Sequence, residues 1–219
     1  MISWAGVAAR KAVVAPNPTI APDLAASAAL PVEHEWLRDR GLPVVIGVGR
    51  LSVEKDWPTL LRAFATVRRS RPCRLVLLGD GPAHERQRVV AQAGELGIGA
   101  ELSLPGHVAN PYAFVARAAV LAHTARVEGM PNVLIEALAL GTPVVATDGP
   151  TGAREVLEGG RWGSLVPVGD AAAVARAIAA VLTAGGRASP EAQEAMARRF
   201  SVAAAAEAYG RLLFDARVG

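Results

Sequence analysis

The chain has 219 residues, 52% of them hydrophobic, and a formal net charge of +3. That length holds one large domain with a real core, or at most two small ones. So small a charge, with scattered arginines and only 5% aromatics, excludes binding nucleic acid by a basic face or by stacking, and the single cysteine, Cys73, excludes an internal disulfide.

Residues 1–42 read as a loose lead-in around a Pro16-Asn17-Pro18 turn. Its charges follow its apolar residues, the reverse of a signal peptide, and no apolar run approaches the ~20 residues that span a bilayer. "PVVIGVG" (43–49) is a continuous apolar strand, and "WPTLLRAFATVRRS" (57–70) has helical spacing and a basic end. Cys73 is expected to cap the next strand, "RLVLLG" (74–79), rather than to react. A helix over 83–97 closed by glycine follows, then strand 101–104, helix 110–118 and strand 119–122. Helix 132–140 is ended by Gly141 and followed by strand 143–147, a short helix "GAREVLE", strand 164–168 and helix 171–182. Residues 189–217 form a helical tail, broken near Phe200-Ser201.

Apolar strands alternating with helices predict a parallel sheet covered on both faces: an α/β, doubly wound, Rossmann-like domain. In such sheets ligands bind beyond the carboxyl ends of the strands, where the strand order reverses, so the loops after the strands carry the chemistry. The first, "GRLSVEKDW", begins like a dinucleotide fingerprint at Gly47-Val48-Gly49 but has Ser52 where the third glycine belongs, and the chain has no Gly-Lys-Ser/Thr phosphate loop. The loop instead offers Arg50 and Lys55. These are either two solvated charges or an anion clamp, and Lys55 is one of only two lysines against 21 arginines.

The loop and helix over 123–140 hold two carboxylates, Glu128 beside Gly129-Met130-Pro131, and Glu136 in the apolar run Val133–Leu140. Pro131 marks a helix start whose amides favour an anion. Glu136 lies one turn inside, either as a partly exposed helix residue or as an acceptor for two ribose hydroxyls. His123 reads as a strand-end structural histidine rather than a base, and His34 and His84 read as surface. Glu33-His34-Glu35 lacks zinc-ligand spacing, and there is no Asp-x-Asp site, so no metal site is expected.

At this point the residues resemble a family. "VEGMPNVLIEALALGTPVVATD" is similar to the E-x7-E segment of retaining glycosyltransferases of family 4, or group 1, and "GVGRLSVEKDWPTLLRAF" to their G-R-L-x-x-x-K-D segment. "APNP", "LVLLGDGP", "LPGHVANPY" and "TGAREVLEGGRWGSLVPVGD" follow the family's order, so the resemblance covers about 13 to 215. His123-Thr124 replaces the family's frequent Pro-Ser, which implies an altered sugar pocket.

The resemblance implies the C-terminal, nucleotide-sugar-binding half of a GT-B enzyme, transferring a sugar with retention to a hydroxyl acceptor in polysaccharide, lipopolysaccharide or glycolipid synthesis. It implies that Arg50 and Lys55 hold the diphosphate of a UDP-, GDP- or ADP-sugar without a metal or other cofactor. Glu136 takes the ribose, and Glu128 contacts the transferred sugar. The amides of Gly129, Met130, Asn132, Val133 and Leu134 touch sugar and phosphates, Gly49, Gly79 and Gly81 line the pocket, and Gly106, His107 and Val108 receive the base. The catalytic set is Glu128, Arg50 and Lys55. By the same resemblance 1–12 is a remnant connector, 13–199 the donor-binding domain, and 200–219 a helix that packs toward a missing N-terminal acceptor domain or a separate chain. The expected location is the cytoplasm, with peripheral membrane contact through the acceptor domain. The rival reading is a non-catalytic nucleotide-sugar-binding module or regulatory partner of a split enzyme; the paired glutamates argue against a GT-B epimerase.

Overall fold

In the computed structural model the described residues are 15–39, 41–150 and 152–215; the connector expected at 1–12 lies outside them. The lead-in is more ordered than the sequence suggested. It contains helices α1 (Leu24–Ala29) and α2 (Glu35–Arg38), and Leu24, Ala28, Val32 and Leu37 are buried. Pro16-Asn17-Pro18 has no regular structure. Ile20 ties the lead-in to the tail: its amide donates to Phe200 O at 2.9 Å and its carbonyl accepts from Val202 N at 3.1 Å. His34, expected on the surface, is partly buried: its Nε2 is 2.9 Å from Ser103 Oγ and its ring packs edge-on against Trp36 and Phe114. His84 is exposed, as expected.

Strands and helices then alternate: β1 (Val44–Val48), α3 (Trp57–Ser70), β2 (Arg74–Leu78), α4 (Ala83–Glu95), β3 (Leu102–Gly106), α5 (Pro111–Arg117), β4 (Val120–His123) and α6 (Asn132–Ala139). The series ends with β5 (Val144–Thr147), α7 (Ala153–Val156), β6 (Ser164–Val166), α8 (Ala171–Ala184), α9 (Pro190–Phe200) and α10 (Val202–Asp215). The short helix after β5 is a single α-turn followed by a 3-10 turn at Glu158–Gly160. The strand expected over 101–104 starts one residue later and ends two later, at Leu102–Gly106, after a 3-10 turn at Gly99–Glu101.

The six strands are parallel, in the order β3-β2-β1-β4-β5-β6. Successive strand residues point to opposite faces, and both faces are filled. Val45, Leu75, Leu77 and Val120 pack with Leu60, Leu61 and Phe64 of α3 and Val174 and Ile178 of α8. Ile46, Val76, Leu78 and Leu121 pack with Phe114 of α5, Leu134 and Leu138 of α6, and Met196 of α9. This is the doubly wound, Rossmann-like fold that the alternation predicted. The order reverses between β1 and β4, so the loops after those two strands flank the crevice. Cys73 is fully buried just before β2, and burial pushes its thiol up to about 11, which suits packing rather than reactivity.

The tail breaks at Ser201, as expected. Phe200 and Ala205 are buried, but Tyr209, Leu213 and Phe214 are 46%, 65% and 68% exposed. Among the described residues, no helix is long and apolar enough to cross a membrane.

Candidate functional site

The loop after β1 is shaped by what lies beside it. Gly79 follows β2 at φ +128, and a Cβ there would stand 2.0 Å from Gly49 O. Only glycine lets the two loops nest so closely. Gly81 packs against Leu51 O in the same way, a Cβ there meeting it at 2.4 Å, so it holds the loops together. The Trp57 indole donates to Arg50 O at 3.0 Å. The loop passes through a 3-10 turn, Val53–Lys55, and reverses at Asp56, whose left-handed backbone (φ 48°, ψ 47°) starts α3.

The loop after β4 is laced to this one. Thr124 Oγ1 donates to Lys55 O at 3.0 Å and Asp56 O at 3.2 Å, and Arg126 N donates to Glu54 O at 2.8 Å. The buried Asp56 carboxylate accepts from Thr59 Oγ1 at 2.9 Å and pairs with Arg126 at 3.2 Å. These contacts fix the backbone on both sides of Lys55.

Lys55 Nζ makes an ion pair with Glu128 Oε2, with the two side chains 17% and 27% exposed. His123, the last residue of β4, places Nε2 3.7 Å from the same oxygen. It is 4% exposed, and burial, then the charge of Lys55, lower its pKa to about 3. At neutral pH it is therefore a neutral imidazole. Arg50 stays exposed at the rim of a cavity of about 260 Å³, lined with it by Gly49, Gly79, His107 and Val108. Gly106, at φ +82 with open space around its missing Cβ, ends β3 beside that loop.

The turn before α6 begins beside Glu128 and continues through Gly129, Met130 and Pro131. The amides of Asn132 and Leu134 donate within it, to Met130 O at 3.0 Å and Pro131 O at 2.9 Å, so an incoming anion must compete with the turn for those two. Val133 lies between them. Glu136 sits one turn in, half-buried, and burial holds its carboxyl above its ordinary value. Its charge also helps raise the Tyr112 hydroxyl, after burial, which places Glu136 toward the start of α5.

Three contributors were not legible in sequence. Asn17 Nδ2 and Thr19 Oγ1 donate to Asn132 Oδ1 at 3.3 and 3.2 Å, bracing the start of α6 from the lead-in; the only sequence signal was the quoted "APNP". Gly152, at φ +79, backs against the Glu128 turn, where a Cβ would meet Pro131 Cδ at 2.7 Å and Glu128 O at 2.9 Å. Among the described residues, no group of three or more His, Cys, Asp or Glu side chains is placed to hold a metal. A larger cavity, about 880 Å³, lies away from this crevice, along β6 and α8. Its lining includes Trp162 and Arg176 but no carboxylate, so the site is assigned by its chemistry rather than by volume.

The chain is 36% identical over 124 residues to the N-acetylgalactosamine-N,N'-diacetylbacillosaminyl-diphospho-undecaprenol 4-alpha-N-acetylgalactosaminyltransferase of Campylobacter jejuni, covering 57% of this chain and 33% of that one. It is 33% identical over 176 residues to the lipopolysaccharide core biosynthesis glycosyltransferase LpsE of Rhizobium meliloti, covering 78% and 49%. It thus spans a third to a half of these relatives' length. The crystal structure of Anabaena Alr3699/HepE in complex with UDP and glucose superposes with a TM-score of 0.81 over 96% of this chain and 59% of that one, at 24% identity, a likeness of fold. Residues 42–184, which hold Arg50, Lys55, Glu128 and Glu136, match the glycosyl transferases group 1, and the chain belongs to that family.

Proposed function

We propose that this chain is the donor-binding part of a retaining GT-B glycosyltransferase, which moves a sugar from a nucleotide-diphosphate sugar to a hydroxyl in envelope polysaccharide, lipopolysaccharide or glycolipid synthesis. One observation carries the reading: the Lys55–Glu128 pair stands where β1 and β4 diverge, with Glu136 one turn into the helix that begins beside it. When the anomeric C–O bond breaks, its electron pair goes to the leaving diphosphate. Arg50, Lys55 and the start of α6 face that charge, and fixed cations and amides stabilise it with no reorganisation at the moment of reaction. Glu128 reaches the sugar whose anomeric carbon becomes positive, and Glu136 accepts from the ribose hydroxyls. The HepE complexes with UDP and UDP-glucose and the role named for LpsE support this donor class and pathway class. Calorimetric titration with UDP, GDP and ADP in the presence of a chelator tests it. Binding of at least one diphosphate is expected; binding only after magnesium or manganese is added rejects the metal-free site.

A further inference from the structure

We infer that His123 is a positioning residue for Glu128: it becomes a hydrogen-bond donor to that carboxylate when Lys55 turns from Glu128 to the diphosphate of a bound donor. The inference rests on the donor-site reading above. Lys55 Nζ and His123 Nε2 converge on one oxygen, Glu128 Oε2, the lysine in contact and the imidazole at 3.7 Å. That is roughly 0.5 Å beyond hydrogen-bond reach. Nε2 is also buried with no hydrogen-bond partner. A buried polar atom left so is costly, and native structures keep one only for a reason.

The surroundings fit a waiting donor. His123 is held at the end of β4, paired in register with Ala146 of β5, and its carbonyl accepts from Thr147 Oγ1 at 3.4 Å. The ring therefore has little freedom, and the flexible partners are Lys55 and Glu128. Burial and the adjacent ammonium keep the imidazole neutral, so it does not compete with Lys55 as a second cation. A diphosphate attracts Lys55 more strongly than one carboxylate does. As Lys55 turns, Glu128 Oε2 moves the short distance to Nε2–H and keeps its orientation toward the sugar. The exchange moves no proton; it requires the tautomer with hydrogen on Nε2.

The test uses the full chain labelled with ¹⁵N-histidine, with His123→Gln identifying the His123 signals. Long-range proton–nitrogen spectra should show the proton on Nε2, and its resonance should move downfield on saturation with whichever of UDP, GDP or ADP binds. In parallel, His123→Leu should bind that diphosphate roughly tenfold or more weakly, the size of one hydrogen bond to a charged group, but bind the corresponding nucleoside, which has no phosphates to draw Lys55 away, within about twofold of wild type. His123→Gln, which returns an N–H near the same place, should recover most of that loss. A proton on Nδ1, an unmoved resonance at saturation, or equal loss for nucleoside and diphosphate in His123→Leu overturns the role of His123 and leaves the donor site standing. Failure of the wild-type chain to bind any of the three diphosphates overturns the donor site, and this inference with it.

Discussion

Lys55 and Glu136 are both charged groups held in a mostly apolar setting, but for opposite reasons. Lys55 is paired with Glu128, so removing it takes away both the proposed phosphate contact and an internal partner. We expect Lys55→Ala to weaken UDP binding by about 1.5–3 kcal/mol, the value of a charge-assisted contact, while uridine, which lacks the phosphates, loses much less. Equal losses would mean that Lys55 acts through folding. Glu136 has its carboxyl raised above the ordinary 4.5 by burial. A raised carboxyl favours the fold while it is protonated; that contribution is present below 4.5 and is lost as pH rises through the folded value. Ionised Glu136 is therefore a cost at neutral pH, one that the proposed ribose contact accounts for. Glu136→Gln should raise the thermal midpoint at pH 7, with the gain shrinking toward pH 4, and should weaken UDP far more than its 2′,3′-dideoxy analogue. A midpoint gain that does not change with pH, or equal loss for the two nucleotides, rejects this account. Lys55, Glu128 and Glu136 were legible because charge in an apolar or glycine-rich context stands out along a chain. Asn17 and His123 were not, because their meaning lies in contacts across the fold: Asn17 reaches Asn132 over 115 positions.

At the scale of elements, the strands and long helices were legible because their apolar periods run long enough to register. The short helices α1 and α2, of six and four residues, carry too little period to read, and packing rather than propensity makes them. The same limit hid why the loop glycines matter. The resemblance placed Gly79 in the pocket lining and Gly106 in the loop that receives the base, without saying what each glycine is for; the structure separates them by their surroundings. A Cβ on Gly79 collides with Gly49 O, while one on Gly106 meets nothing within 4 Å. Gly106→Ala should therefore cost only the left-handed backbone, about 1–2 kcal/mol. Gly79→Ala must also push two loops apart, and should lose more than about 4 kcal/mol. Urea unfolding midpoints at constant slope measure both; similar costs would mean that the loop nesting does not constrain the site.

At the scale of the molecule, the crevice is open. Arg50 is exposed, and Glu128 and Glu136 are half-covered, so nothing among the described residues closes over the crevice. Transfer needs a positioned acceptor and exclusion of water, and in the proposed enzyme a second Rossmann-like domain supplies both. The apolar side of α10 is the candidate contact for that domain. Leu213 and Phe214 are largely exposed near its end, with Tyr209 a turn before them, and an apolar strip of this kind marks an interaction surface. Because these side chains bury little on the chain itself, replacing Leu213 and Phe214 together by glutamate should change its unfolding free energy by no more than about 0.5 kcal/mol each. The same pair of changes should abolish productive pairing. The 219-residue chain alone is expected to bind a nucleotide diphosphate but to show no measurable sugar transfer. Adding the N-terminal half of a group 1 glycosyltransferase with a matching interface should restore transfer from radiolabelled UDP-, GDP- or ADP-sugars to lipid or oligosaccharide acceptors, and the double glutamate variant should not respond. Robust turnover by the chain alone would show that it needs no second domain. Tight binding of an N-terminal half without turnover, for any donor, would favour a regulatory nucleotide-sugar-binding module built on the same crevice.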